Sequence, residues 1–503
     1  VKKNAHHPGA LYLTIVMVLW LGTGLLFPNS IYAEEITFLY WGDRYSQDQP
    51  TVTQQDSTSL ETGGAAMLGG MLTVLRERYP NSMTICTGND FSGSPASVRS
   101  RGESNISTLN LLGVDVLGAG IGELSFGWKN LHSLAGSAKF DILSANLMLD
   151  GKKRSLLTSS KVYKKKGITV GVIALTNPRA NELVMRDGVV GIVNADPSTS
   201  AIDFVFKQKG KCDLLVALSN LEWRQDSLIA IANPGLDLII ASGHERSTDK
   251  VRVIKGVPIV NSKGSGKSLG RITLSVDVNE NRVTSYENEL LSVESGAATP
   301  DQAIQTFVNG LNDKYVGNNP IELAQLTSPL VLDPNGQSNL CQWVTDALFT
   351  AERRANLVLI RNKDIASGAP KGAFTDQQLL KMFPYDTPII VVQIIGSEVK
   401  RIVSRQLEGS VPALTWTGLT IAPTRAKQIL EMNIQGKPVV DEEMYVLLTT
   451  GTLWADARLL LGIDPQIRAS FSLPAINVRD YLVDVVKFQK VFEVELDDRW
   501  KTE

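Results

Sequence analysis

The chain is short of the side chains that most often do chemistry. Its 503 residues include four histidines and three cysteines. His6 and His7 precede a long apolar run near the N-terminus, so only His132 and His244 belong to the body of the chain. A hydrolytic transition-metal centre needs several N, O or S ligands, most often imidazoles, and this sequence offers two at most. Cys86, Cys212 and Cys341 are odd in number and far apart. That excludes a disulfide framework and predicts buried small hydrophobes, with a single bridge as the alternative. Formal net charge is -2, and no Lys/Arg stripe interleaved with aromatics is visible, so no nucleic-acid partner is expected. There is no internal repeat and no low-complexity segment, and after Phe27 no apolar run reaches membrane-spanning length.

What is present begins with an export signal over residues 1–33. Lys2 and Lys3 precede the apolar run Leu11 to Phe27, followed by Pro28-Asn29-Ser30 and the small residue Ala33. The mature chain is expected to start at Glu34, with a net charge of -4 (-2 minus the two lysines), in a periplasmic or extracellular location. Ile31, three residues before that cut, fits poorly, so a membrane anchor through residues 11–27 is the alternative. Membrane contact is expected only through such an uncleaved leader.

Five hundred residues imply two or more domains. Between 34 and 294, β-branched or apolar runs alternate with helical stretches. The runs include Ile36-Thr37-Phe38-Leu39, Met83-Thr84-Ile85-Cys86, Val114-Asp115-Val116-Leu117, Ile168 to Ile173 and Leu214 to Leu218. Apolar strands bounded by turns predict a sheet covered by helices on both faces, an α/β domain. A helical connector is expected over 295–321, starting at Thr299-Pro300-Asp301 with an apolar stripe of Ile304, Phe307, Val308 and Leu311. A second α/β or α+β domain is expected over 322–503.

Four segments at strand ends have the shape of metal-binding loops: Asp43-Arg44-Tyr45, Gly88-Asn89-Asp90, Gly120-Ile121-Gly122-Glu123 and Gly243-His244-Glu245-Arg246. Gly264-Ser265-Gly266-Lys267-Ser268 looks like the end of a phosphate-binding loop, but Asn261 stands where that loop needs glycine and a strand pattern follows.

The order of these segments resembles that of the secreted 5′-nucleotidases, calcineurin-like metallophosphoesterases with a second, nucleotide-binding domain. Gly88-Asn89-Asp90-Phe91-Ser92-Gly93-Ser94-Pro95 stands where that family usually writes Gly-Asp-x-Phe-x-Gly-Ser-Pro. Gly120-Ile121-Gly122-Glu123-Leu124-Ser125-Phe126-Gly127 stands at its Gly-Asn-His-Glu-Phe-Asp-x-Gly. The likeness continues through Lys371 to Thr375, Phe383-Pro384-Tyr385 and Tyr445 to Thr450. It implies a four-layer metallophosphoesterase-like β-sandwich flanked by helices, joined by the connector to a 5′-nucleotidase C-terminal-like domain.

The resemblance also implies a pair of divalent ions about 3.5–4 Å apart activating a water. Of the ligands it would require, only Asp43 and His244 remain. Tyr45 replaces a histidine, Asn89 the bridging carboxylate, Ile121 an asparagine, Asn220 a histidine and Arg246 another histidine. Gly122 occupies the catalytic histidine position, and Ser125 that of its aspartate partner. In the second domain the phosphate- or ribose-gripping loop corresponds to Arg361 to Ala366, leaving Arg361 and Asn362 as candidate ligand contacts, with Trp416 and Trp454 beside the positions that sandwich a base.

These substitutions predict a non-catalytic binding or interaction protein with no metal cofactor. Its partner is expected to be a nucleoside, nucleotide or other small ligand, or an envelope protein. The first alternative is a metal-dependent 5′-nucleotidase or phosphoesterase that holds one or two divalent ions through Asp90, Glu123 or Glu245. The second is a structural component of an envelope assembly.

Overall fold

The computed structural model describes residues 33–497 apart from 56–57, 152–153, 181–183, 185, 243–249, 263, 316, 318–319, 385–386, 410–412, 424–428 and 466–469. The leader, His244, Glu245, Arg246 and Tyr385 therefore lie outside the described residues.

The apolar runs become strands. β1 (Ala33–Trp41), β2 (Ser82–Cys86), β3 (Val116–Gly118) and β4 (Asp141–Leu143) pair in parallel in that order. A second six-stranded sheet holds β5 (Ser160–Lys165), β6 (Ile168–Leu175), β7 (Leu214–Ser219), β8 (Leu238–Ala241), β9 (Arg252–Ile254) and β10 (Val257–Asn261), in the order β9-β10-β8-β7-β6-β5. β11 (Ser268–Asp277) and β12 (Arg282–Ser292) return to the first sheet on the free side of β1.

Burial shows how the layers stack. Phe38, Tyr40, Ile85 and Val116 of the first sheet meet Val170, Val172, Val216 and Ile240 of the second in one core. The outer face of the first sheet, through Leu39, Trp41 and Leu117, packs on Leu68 and Leu72 of α1 (Ala65–Arg78). The outer face of the second packs on α2 (Pro197–Gln208) and α3 (Trp223–Ala232) through Phe204 and Ile229. The result is helix, sheet, sheet, helix, with the central strands of each sheet buried on both faces and the edge strands β5 and β12 open to solvent.

The connector forms α4 (Gln302–Tyr315), its first turn capped by Asp301, whose Oδ1 accepts from the Ala303 and Ile304 amides. Ile304, Val308 and Leu311 face inward, and Ile304 lies over Gly69 of α1 so closely that an added Cβ there would be 2.5 Å from Ile304 Cδ1. Beyond it a five-stranded sheet contains β13 (Leu357–Arg361), β14 (Pro388–Ile395), β15 (Leu414–Thr417), β16 (Met444–Thr450) and β17 (Ser470–Asn477), ordered β15-β13-β16-β14-β17. Separate apolar clusters cover its two faces. Cys86, Cys212 and Cys341 are buried free thiols, so the single bridge considered as an alternative does not form. No helix among the described residues is long and apolar enough to cross a membrane.

Candidate functional site

The loops leaving β1, β2, β3 and β7 gather at the carboxyl ends of their strands, with Ser242 just after β8 beside them. Asp43 and Asn89 both take left-handed backbone angles, φ 52° and 55°, which short polar side chains tolerate better than most. In that geometry the Asp43 amide donates to Gly88 O (2.9 Å) and the Tyr45 amide to Asn89 O (3.0 Å). The Asn89 carboxamide is used at both ends. Its Nδ2–H donates to Asp43 Oδ1 at 2.8 Å, and its Oδ1 accepts from the Gly122 amide at 2.8 Å. A neutral amide thus ties three loops together where the resemblance expects a carboxylate between two cations.

Glu123 is the floor of the site. It is 1% exposed, and its carboxylate accepts from the amides of Asn89 (2.9 Å), Asp90 (2.8 Å), Phe91 (3.3 Å) and Gly120 (2.7 Å). Burial pushes its carboxyl above the ordinary range, while those backbone donors and the nearby Asp90 charge pull in opposite directions. Asp90, fully buried, is clasped by both Arg44 Nε (2.7 Å) and Arg44 Nη2, and Arg44 Nη1 also reaches Asp48 (2.7 Å). Burial works against the guanidinium charge, but the two carboxylates outweigh it and hold Arg44 above its usual range. Arg44 escaped the sequence reading, which weighed Asp43 and Tyr45 on either side of it. A lone arginine between two loop aspartates was the available signal.

Gly122 has no room for a side chain. A Cβ there would lie 2.9 Å from Asn89 Cα and 3.1 Å from Phe91 O. Asn220 turns its Nδ2 to Ser242 Oγ (2.9 Å), and its Oδ1 would stand 2.8 Å from a Cβ on Gly120. Ile121 is half-buried and packs on the first-sheet core and on a core cluster of the C-terminal half at once. Beside it, Arg179 crosses between the halves: Nη1 donates to Ala455 O and Nη2 to Trp454 O, both at 3.0 Å. The Gly93 amide also donates to Pro384 O at 2.8 Å.

The four residues expected as ligand contacts in the C-terminal half are all engaged by the fold. Arg361 donates to Asp364 (2.6 Å) and Asp456 (2.8 Å), so its charge is already matched. Asn362, fully buried, donates to Asp333 O and Gly336 O and accepts from Thr415 Oγ1 at 2.7 Å. Trp416 and Trp454 are 1% and 0% exposed within the core, Trp454 donating to Ser470 Oγ at 3.1 Å. No ring face is open for a base to stack on.

Among the described residues, the side chains at these loops are already engaged by the fold. Asp43 accepts from an amide, Asp90 is held by a guanidinium and Glu123 by backbone N–H groups, so the described carboxylates proposed as replacement ligands are spent. Among the described residues no three His, Cys, Asp or Glu side chains come together in a way that could hold an ion. Elsewhere, Gly264 to Gly266 forms a left-handed turn whose Ser265 amide donates to Asp43 O (2.7 Å), and a strand follows, as expected for something other than a phosphate loop. Gly266-Lys267-Ser268-Leu269-Gly270 has the spacing of a nucleophile elbow, which the sequence reading passed over. Ser268, however, opens β11 rather than a strand-to-helix turn.

Comparison with known proteins agrees with this architecture. Residues 323–456 match the 5′-nucleotidase C-terminal domain. A 5′-nucleotidase of Mus musculus is 25% identical over 424 residues, covering 73% of this chain and 71% of that protein. The structure of a 5′-nucleotidase precursor from Thermus thermophilus superposes with a TM-score of 0.68 at 20% identity, covering 93% of this chain and 99% of that one. A putative 5′-nucleotidase from Staphylococcus aureus gives 0.72 at 17% identity, covering 93% and 100%.

Proposed function

We propose that this chain, which belongs to the 5′-nucleotidase family with its calcineurin-like fold, is a non-catalytic member of it, exported and retained as a binding or interaction protein. The observation that carries this reading is the Asn89 carboxamide, hydrogen-bonded between Asp43 Oδ1 and the Gly122 amide. A neutral N–H donor aimed at Asp43 offers a cation nothing, and an amide cannot balance two adjacent divalent charges. With Gly122 packed against Asn89, no side chain there can protonate a leaving group. Fold and activity are separable, because the turns and cores above are held by backbone hydrogen bonds and apolar packing. Export rests on the leader sequence and on relatives that include a precursor form.

The test is direct. The purified chain is supplied in turn with manganese, zinc, cobalt or calcium. Bound metal is measured alongside hydrolysis of nucleoside monophosphates and a chromogenic phosphodiester. Absence of both bound ions and turnover is the expected result. Two bound ions with turnover lost in Asp43→Ala would overturn the proposal in favour of a metal-dependent hydrolase with a rearranged site.

A further inference from the structure

The end of the N-terminal half opposite the loops has a different character. β1 begins there at Ala33. The turn between β5 and β6, Lys164-Lys165-Lys166-Gly167, lies beside it: a Cβ on Gly167 would be 2.8 Å from Glu34 Oε2. The loop between α2 and β7 is joined to the same turn. The Asp213 amide donates to Thr169 O (2.9 Å), and Asp213 Oδ2 accepts from the Thr169 amide (2.6 Å). Two lysine-rich turns and the start of the fold therefore share one end.

Lys164, Lys166, Lys207, Lys209 and Lys211 are all exposed there, and none makes an ion pair among the described residues. Two of the acids at this end are paired with lysines. Lys165 covers Asp115 and Lys161 covers Asp141, both at 2.9 Å, while Asp213 and Asp237 accept from the Thr169 and Leu215 amides. Glu34, Glu35, Asp203, Asp213, Asp237 and Glu280 remain as counter-charges, set around the lysines rather than paired with them. Next to Lys207, Phe206 stands 86% exposed, one helical turn from the half-exposed Ile202. An exposed phenylalanine among unmatched lysines suits a surface that is anionic outside and apolar beneath.

The chain itself says where such a surface would be. Only residues 28–32 separate the apolar run ending at Phe27 from β1. Fully extended, that link spans about 20 Å at most. In the alternative in which residues 11–27 stay in place as an anchor, a link of that length keeps this end of the fold at the membrane.

We propose that the lysine-ringed end bearing Phe206 docks on a bilayer containing anionic lipid, so that the loop end faces away from the membrane. This does not depend on whether the loops are catalytic. Near an anionic surface each lysine contributes about fivefold in affinity, so the loss of three is expected to weaken docking by about a hundredfold.

The test uses hydrogen-exchange mass spectrometry on the full chain with vesicles of phosphatidylcholine alone or mixed with phosphatidylglycerol. Protection of residues 163–167 and 204–211 is expected on the mixed vesicles only. It should disappear at high salt and in the triple variant K207E/K209E/K211E, with exchange in β7 unchanged as proof of folding. Equal exchange on both vesicle types would overturn the proposal, leaving a tether without a docking surface. Protection that rises with protein concentration in the absence of lipid would also overturn it, in favour of a second copy of the chain. Protection by added RNA instead of lipid would sink it as well.

Discussion

The two halves of the molecule close their clefts with the same kind of pair at different depths. Under the N-terminal loops, Arg44 and Asp90 are 2% and 0% exposed. In the C-terminal half the side chains of Arg361 and Asp456 keep 16% and 30% of their surface in contact with solvent. Coulomb attraction favours both pairs, but the deep pair has also surrendered its hydration. The cost of breaking a pair is set by the charge left behind, so depth rather than distance should rank the two.

The largest effect is therefore expected from Arg44→Met, which strands Asp90 and Asp48 in the interior. A loss of about 3–5 kcal/mol is expected in denaturant unfolding, much of it recovered by adding Asp90→Leu. Arg361→Met should cost less, about 1–2 kcal/mol, because water reaches its partners. If Arg361→Met proved the more damaging, the ranking by depth would fail.

Gly122→His probes the loops between these extremes. Its Cβ must displace Asn89 or Phe91, at about 1–3 kcal/mol, and turnover of nucleoside monophosphates should stay absent with manganese present. Full stability in that variant would show that the loops yield. The last test is a control outside both clefts. Burial raises the Asp237 carboxyl to about 6, against the pull of its Leu215 amide bond. The folded state then binds more protons than the unfolded chain between about 4 and 6. Stability from this group is complete below the unfolded value and is lost as pH rises through the folded one, by up to about 3 kcal/mol. Asp237→Asn should flatten the melting temperature across that window.

Much of the architecture was legible because sheets buried on both faces leave continuous apolar runs. Ile36 to Leu39, Met83 to Cys86, Ile168 to Ile173 and Leu214 to Leu218 all fall inside observed strands. The short strands were less so: Val114 and Asp115 precede the strand expected to include them, which runs Val116–Gly118. At the loops, residue identity announced which donors were missing, yet gave no sign of what had replaced them. That Asn89 spans Asp43 and Gly122, and that Glu123 collects amides from two loops, are facts of backbone direction. Trp416 and Trp454 were ambiguous for a related reason, since a tryptophan reads alike in a core and in a binding cleft. The lysines at the far end were invisible as a group because Lys164 and Lys209 are brought together only by the pairing of β6 with β7.

Ile121 has a consequence for the history such a chain can have. Its side chain belongs to two cores at once, one in each half, so its identity is under two masters. A mutation that put a polar group there would weaken both before any benefit could arise, and the glycine beside it admits no replacement without moving Asn89. Single changes at Ile121 or Gly122 are therefore expected to cost stability before they could add a ligand.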